Sequence, residues 1–418
     1  MSANTPEFNE LNNRKTRVLF MFGGRSPEHD VSIMTSLQGI NALDKEKFDI
    51  IPLYIAPDGQ WFIGKTPTAL LDPSIFIPSL ETQSTFTRVT LNMSVKKTPE
   101  LITLPKYFWE KQKRIPFDVA FLGFLGLVGE DGRIQGMCEV ANIPYTGMRL
   151  LASAVVMDKG ATKKILAGTD VPIIPYYEIK RPKEGVLITP EELQKMLPNV
   201  QFPCCLKPAN LGSSIGVAKV NSYTEISDTL ASSTFVLDHT AMLETFVENL
   251  VEYNVSVRKR KGKTVTSALE KPKFSDEFFS FEAKYKVGEG KGGKLGGGKG
   301  SMPTSEGIAS IHDLHPDITK EMDANIRKWA TTVFDIVDGS GIPRLDFLCN
   351  GKTGEIWFNE ANPFPTLFAY FLWEGAKENP VTLTELLEDM ITEAFELHAK
   401  QLIPNDPTLK DARLFPRR

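Results

Sequence analysis

The sequence predicts an α/β protein with a doubly wound parallel sheet at its N-terminal end, followed by smaller α+β units. Three observations lead there. A chain of 418 residues is too long for one compact core and calls for two or three domains. In its first third, strand-like runs such as Arg17-Val-Leu-Phe-Met-Phe22 and Phe117-Asp-Val-Ala-Phe-Leu122 alternate with helical stretches. Further on, short strands surround a loop rich in glycine and serine, and an amphipathic helix closes the chain.

Taken in order, Arg17–Phe22 is a continuous apolar run typical of a buried parallel strand. Gly23-Gly24 turns the chain into a helix expected from Ser26, with serine as N-cap and Pro27 at the first helical position. Asp49–Ile55 reads as the second strand. Residues 58–112 are rich in Pro, Thr and Ser and read as an irregular surface excursion. Phe117–Leu122 resumes the sheet, and one helix is expected over Leu150–Leu166. Phe202–Lys207, Val217–Val220, Met242–Val247 and Val251–Val257 read as further strands. Near the end, Leu383, Leu386, Leu387, Met390, Ile391 and Ala394 recur at helical spacing.

Composition is that of an ordinary globular protein, with 41% hydrophobic and 24% charged residues. A net charge of −4 carries no electrostatic footprint for nucleic acid or an acidic membrane. No apolar run approaches the roughly 20 residues that span a bilayer. Residues 1–15 are polar, lack the apolar region of a signal peptide, and are expected to form a loose tail. Cys138, Cys204, Cys205 and Cys349 have no zinc-ligand spacing and read as buried thiols in a reducing, cytoplasmic setting.

The chemistry concentrates in two places. Arg344-Leu-Asp346, a turn at Asn350-Gly-Lys-Thr-Gly354, and the returning segment that carries Glu360 and Asn362 read as a hairpin. Alternation puts an arginine, two carboxylates and an amide on one patch, an all-oxygen set suited to Mg²⁺ that keeps phosphates as its other ligands. The loop Lys207-Pro-Ala-Asn-Leu-Gly212-Ser213-Ser214-Ile-Gly216 supplies charge, hydroxyls and closely approachable backbone N–H groups for phosphate. Between them, the strand with Glu244 offers its backbone to an adenine edge, and Glu244 or Glu252 to ribose hydroxyls. By contrast, the run from Gly293 to Lys299 only imitates a P-loop. Gly300 stands where Ser or Thr must hold the metal, and no buried strand precedes it; Gly288–Gly300 reads as a flexible loop.

With these residues in view, the chain resembles the D-alanine–D-alanine ligases of the ATP-grasp superfamily from about Arg17 to Leu397. The resemblance rests on an ordered set: Gly23-Gly-Arg-Ser-Pro-Glu28-His-Asp-Val-Ser32, Gly129-Glu-Asp-Gly132-Arg-Ile-Gln-Gly136, Pro144-Tyr-Thr-Gly147 and Met157-Asp-Lys159. Lys207-Pro through Gly216, Phe281-Glu-Ala-Lys284-Tyr285, Arg344-Leu-Asp346 and Asn359-Glu-Ala-Asn362 complete it. It implies a three-domain ATP-grasp architecture: a substrate-binding α/β domain over 16–150, then lobes over 151–240 and 241–418 that sandwich ATP.

It also implies roles. Glu28 would hold the ammonium of the first amino acid, and Ser213 and Tyr285 would join it in a hydrogen-bonded trio. Arg344 would stabilise the acyl phosphate and the oxyanion. Lys159, Lys207 and Lys284 would contact ATP phosphates, Ser214 and Phe278 would join the nucleotide set, and Glu244, Val247 and Glu252 would surround adenine and ribose. Asp346, Glu360 and Asn362 would hold two Mg²⁺, with Mn²⁺ as a substitute. Small amino acids are the implied partners, in a cytoplasmic homodimer that makes a peptidoglycan precursor. Lys284-Tyr285 would open a mobile lid.

Three departures bear on the acceptor. Leu125 stands where the family has histidine. Asn362-Pro363-Phe364-Pro365-Thr366 replaces a segment ending in Pro-Gly, and β-branched Thr366 resists positive φ. Phe371, in the aromatic run Thr366–Trp373, falls on the serine that binds the second amino acid's carboxylate, and a phenyl ring offers no donor. Two other readings follow: an ATP-grasp ligase for other amino acid or hydroxy acid acceptors, and a catalytically weak ATP-binding sensor. The same aromatic run also reads as helix packing surface.

Overall fold

Strand β1 (Thr16–Gly23) lies between β2 (Phe48–Ile55) and β7 (Val119–Leu122), parallel to both. The computed structural model describes residues 14–64, 86–96, 98–105, 107, 109–273 and 312–401. The continuous apolar character of β1 has a plain cause: its two faces feed different cores. Val18, Phe20 and Phe22 join one cluster, while Leu19 and Met21 join another on the opposite side.

The surface excursion expected over 58–112 is corrected by the structure. Strands β3 (Trp61–Gly64), β4 (Phe86–Leu91) and β5 (Glu100–Thr103) lie within it, and with β6 (Arg114–Pro116) they extend the sheet in the order β6-β5-β4-β3-β2-β1-β7. Each pairs antiparallel with its sequence neighbour. Strands β4 and β5 bury only alternate residues, Val89, Leu91 and Leu101 among them, and β3 and β6 bury none fully, so their average composition resembles that of a loop.

Helix boundaries also differ from expectation. Helix α1 spans His29–Ala42, three residues later than the start at Ser26. The Ser26 hydroxyl accepts the Glu28 N–H at 3.1 Å and its carbonyl accepts that of His29, so serine builds a turn before the helix instead of capping it. Helix α2 covers Arg133–Val140. The single helix expected over 150–166 is two, α3 (Leu150–Met157) and α4 (Lys159–Leu166). Asp158 is extended at φ −96° and ψ 105°, and its carboxylate accepts the Ala161 N–H at 2.9 Å, capping the second helix.

A second, antiparallel sheet runs β10 (Ala218–Val220), β9 (Cys204–Pro208), β11 (Thr240–Thr245), β8 (Tyr176–Lys180). Its apolar core, including Ile179, Leu206, Phe235 and Leu243, is its own and also takes in α5 (Pro190–Met196) and α6 (Tyr223–Thr229). The third sheet runs β14 (His312–Leu314), β13 (Lys263–Pro272), β12 (Leu250–Arg260), β15 (Arg344–Asn350), β16 (Ile356–Asn362). Helix α7 (Lys320–Ile336) covers one face of it through Ile326, Ala330, Val333 and Phe334.

After a short 3-10 turn and α8 (Tyr370–Glu374), helix α9 (Leu383–Lys400) buries the six apolar positions read from its periodicity. Thr382 and Glu385 cap it reciprocally. Its apolar face joins the cluster of Val18, Phe20 and Phe22, so the end of the chain completes a core begun at the start. Gly39 in α1 makes this approach possible: a Cβ there would meet Phe368 Cζ at 2.6 Å.

Candidate active site

The hairpin of β15 and β16 builds one wall. Its register places Arg344 opposite Asn362 and Asp346 opposite Glu360, as alternation predicts. Arg344 Nε and Nη2 donate to Asp346 Oδ1 and Oδ2 at 2.7 and 2.8 Å, a two-pronged contact that fixes the guanidinium plane. Asn362 Nδ2 donates to Asp346 Oδ2 at 2.9 Å. Glu360 pairs with Lys159 Nζ at 3.0 Å.

The break at Asp158 explains how Lys159 reaches this wall. As the first residue of α4, it donates its backbone N–H to Ala209 O at 3.1 Å and its Nζ to Leu211 O at 2.7 Å. Both carbonyls belong to the glycine–serine loop, so lysine, loop and hairpin are joined. In that loop Ser213 and Ser214 take φ values of 53° and 58°, a left-handed turn uncommon for serine.

Between the second and third sheets lies a cavity of about 140 Å³. Eight of the expected site residues line it: Lys159, Lys207, Ser214, Glu244, Val247, Glu252, Asp346 and Glu360. Two lysines and the serine loop face the hairpin carboxylates across it, with the Thr245–Val247 backbone along one side. Glu244, expected at the nucleotide, is buried between Lys163 Nζ at 3.0 Å and Lys207 Nζ at 2.7 Å. Burial pulls its pKa up, but the charges of Lys207 and Lys163 outweigh that and hold it below the ordinary value. Glu244 therefore anchors Lys207, which also donates to Asn359 Oδ1 at 3.0 Å.

A second centre adjoins the cavity. Ser213 Oγ donates to Glu28 Oε1, joining the serine loop to the residue that precedes α1. Gly126 leaves room for this carboxylate, since a Cβ there would come within 2.3 Å of Glu28 Oε2. Glu130 is buried close by and accepts the backbone N–H of Gly126 and, at 2.8 Å, that of Phe364. Burial and the nearby charge of Glu28 push its pKa well above the usual carboxylate range. Tyr285, Lys284, Phe278 and the Gly288–Gly300 loop lie outside the described residues.

Sequence reading gave no role to Lys163, Glu130 or Asn359. Lys163 stands one helical turn after Lys159, and that spacing was its available signal. Asn359 had none. A β-bulge shifts the register between Asp346 and Phe347, so residue 359 escapes the alternation that would turn it away.

The three departures have structural counterparts. Leu125 is buried in the core shared with α9. Positive φ falls not on Thr366 but on the next three residues, Leu367, Phe368 and Ala369, at 54°, 59° and 45°. Phe371 is buried in the same core, its ring 4.3 Å from that of His312. Phe364, Phe368, Tyr370 and Trp373 share that core, so the aromatic run is packing surface.

The donor set suits a hard divalent cation: Asp346, Glu360 and Asn362 offer oxygens from adjacent strands, and two of them line the lysine-bearing cavity. Among the described residues no group of three or more His, Cys, Asp and Glu is arranged to hold a metal; the expected set holds two carboxylates and an amide. Among the described residues, too, no helix is long and apolar enough to cross a membrane.

A cavity between two α+β sheets, with phosphate-ready lysines opposite a carboxylate–amide hairpin, is the architecture of the ATP-grasp enzymes. Known proteins narrow this further. Residues 17–148 match the family described as "D-ala D-ala ligase N-terminus", and residues 165–294 and 306–392 match "D-ala D-ala ligase C-terminus". A D-alanine–D-alanine ligase of Thermosipho africanus is 31% identical, over 90% of this chain and 92% of its own length. Another, from Geobacillus thermodenitrificans, is 32% identical over 93% and 98%. The fold is similar to the D-alanine–D-alanine ligase structure from Coxiella burnetii, with a TM-score of 0.71 at 22% identity over 93% and 96% of the two chains. It is also similar to the VanG D-Ala:D-Ser ligase of Enterococcus faecalis, at 0.70 and 22% over 91% and 100%. The chain belongs to the D-alanine–D-alanine ligase family.

Proposed function

We propose that this protein joins two D-alanines at the expense of ATP, giving D-alanyl-D-alanine, ADP and phosphate for peptidoglycan synthesis. The observation that carries this reading is the adjacency of the two centres. One loop contributes Ser214 to the nucleotide cavity and Ser213 to the Glu28 carboxylate, so an amino acid held by Glu28 stands beside the phosphates. In the first step a carboxylate oxygen of that amino acid attacks the γ-phosphorus, and the bond to the leaving ADP breaks. In the second, the amine of the other amino acid attacks the acyl carbon and loses a proton. The tetrahedral oxyanion then collapses and phosphate departs.

The chain's own groups account for binding and charge. Lys159 and Lys207 hold the phosphates, Glu252 takes the ribose, and the backbone near Val247 meets the adenine edge. Arg344, held flat by Asp346, stabilises the charge on the acyl phosphate and oxyanion. Asp346, Glu360 and Asn362 would hold two Mg²⁺, which would neutralise charge on the phosphates. The reading includes the assignment of Lys284 and Phe278 to the nucleotide, Tyr285 beside Ser213, lobe boundaries near 150 and 240, a homodimer and a cytoplasmic location. Burial of Phe371 among core aromatics favours packing over a redesigned acceptor pocket.

The test is ADP release with ATP and Mg²⁺ across single and paired D- and L-amino acids. Dipeptide from D-alanine alone is the expected result. Turnover only with another pair would replace D-alanine as substrate, and nucleotide binding without turnover would favour the sensor.

A further inference from the structure

A second cavity, about 800 Å³, opens at the edge of the third sheet beside β13. Among the described residues β14 pairs only with Glu270–Pro272, so the stretch from Thr264 to Leu269 borders this opening. Its walls come from β13, the start of α7, and the connection between α8 and α9. Among the described residues six lysines and arginines line it with Asp323 and Glu378, and two of the six, Arg258 and Lys328, pair with Asp389 and Asp170 beyond the lining.

One of the six carries the case. Arg258 is 3% exposed, and Nη1 donates to Asp389 Oδ2 at 2.9 Å. Its Nε and Nη2 are buried without a hydrogen-bond partner. A buried guanidinium with idle N–H groups is costly, and its planar fork matches two oxygens of one anion. Trp373, which also lines the cavity, sits with its ring 5.0 Å from the guanidinium carbon and holds that plane in place. Arg260 and exposed Lys377 add charge at the rim. Arg327 differs: it is tied to Asp323, Thr266 and the Ser267 carbonyl, and so braces the wall.

We propose that this cavity binds a small phosphorylated metabolite, with phosphate oxygens on Arg258 and charge support from Arg260 and Lys377. The site has a mechanical route to the reaction. Trp373 Nε1 donates to Ser256 Oγ at 3.0 Å, and Ser256 Oγ donates to the carbonyl of Pro343, the residue before Arg344, at 3.0 Å.

Calorimetric titration of inorganic pyrophosphate into the full chain, with EDTA present and nucleotide absent, tests the site. The expected result is one site per chain whose affinity falls about tenfold in Arg258→Met and in an Arg260→Glu/Lys377→Glu pair. Lys159→Met, in the nucleotide cavity, should leave that affinity within about twofold. The rim pair decides the matter if Arg258→Met fails to fold. Absence of binding at millimolar pyrophosphate overturns the proposal, as does affinity that follows Lys159→Met and ignores the rim pair. Neither result bears on whether D-alanine is the substrate.

Discussion

Ser213 and Glu28 are 185 residues apart in the chain and share one hydrogen bond. The contact ties the loop beside the cavity to the turn ahead of α1, so in the proposed function nucleotide and amino acid would be positioned by a common element. Ser213→Ala removes the donor and leaves the lysines in place. We expect about a 10²-fold loss in kcat/KM for D-alanine with ATP affinity unchanged. Steady-state kinetics with each substrate varied distinguish this from a general loss of binding.

In the proposed oxyanion role Arg344 would need its shape as well as its charge. Arg344→Lys keeps the cation but cannot grip Asp346 with two parallel N–H groups. The expected outcome is a fall of roughly 10²-fold or more in dipeptide formation. Nucleotide binding measured by calorimetry should stay close to wild type; its collapse would remove Arg344 from the oxyanion role.

Glu393 links α9 to the approach of β15. Its carboxylate accepts the Gly341 N–H at 2.8 Å, and burial raises its pKa from 4.5 to about 7. An acid with a raised folded pKa favours folding while protonated. That contribution is complete below about pH 4.5 and is lost as pH climbs through about 7. Glu393→Gln keeps an acceptor without the charge, and should gain on the order of 2 kcal/mol over the parent at pH 8. Denaturant titrations across this range check it: an unchanged pH slope in the variant would clear Glu393.

Gly39 and Phe368 form a steric pair that seats α1 against the turn before α8. Gly39→Ala should destabilise by about 1–3 kcal/mol, because the new methyl meets the phenyl ring. Combining it with Phe368→Leu should recover part of that loss, read as a coupling energy in a double-mutant cycle.

Much of the fold was legible because burial writes periodicity into sequence. The apolar β1 and the six buried positions of α9 announced themselves. The hairpin did so as well, since Arg344, Asp346, Glu360 and Asn362 obey strand alternation. What stayed hidden depends on partners distant in sequence. Strand β3 buries no residue fully and β4 and β5 bury only alternate side chains, so pairing across the sheet decides their conformation. Asp158 splits one helix into two while the helical spacing of buried positions, Ala152, Val156, Gly160 and Lys163, runs on. Asn359 reaches Lys207 through a bulge, and Glu244, read as a ribose ligand, is enclosed by two lysines that no local pattern ties to it.

The core shared by β1 and α9 has a consequence for synthesis on the ribosome. Leu19 and Met21 find their partners within the first 145 residues, so that face can close while translation continues. Val18, Phe20 and Phe22 await Phe364, Leu386 and Met390, which emerge last. The nascent chain therefore carries an uncovered apolar face through most of its elongation, an interval in which a chaperone would protect it. The four-stranded sheet, whose core lies between Ile179 and Leu243, can complete itself in the meantime.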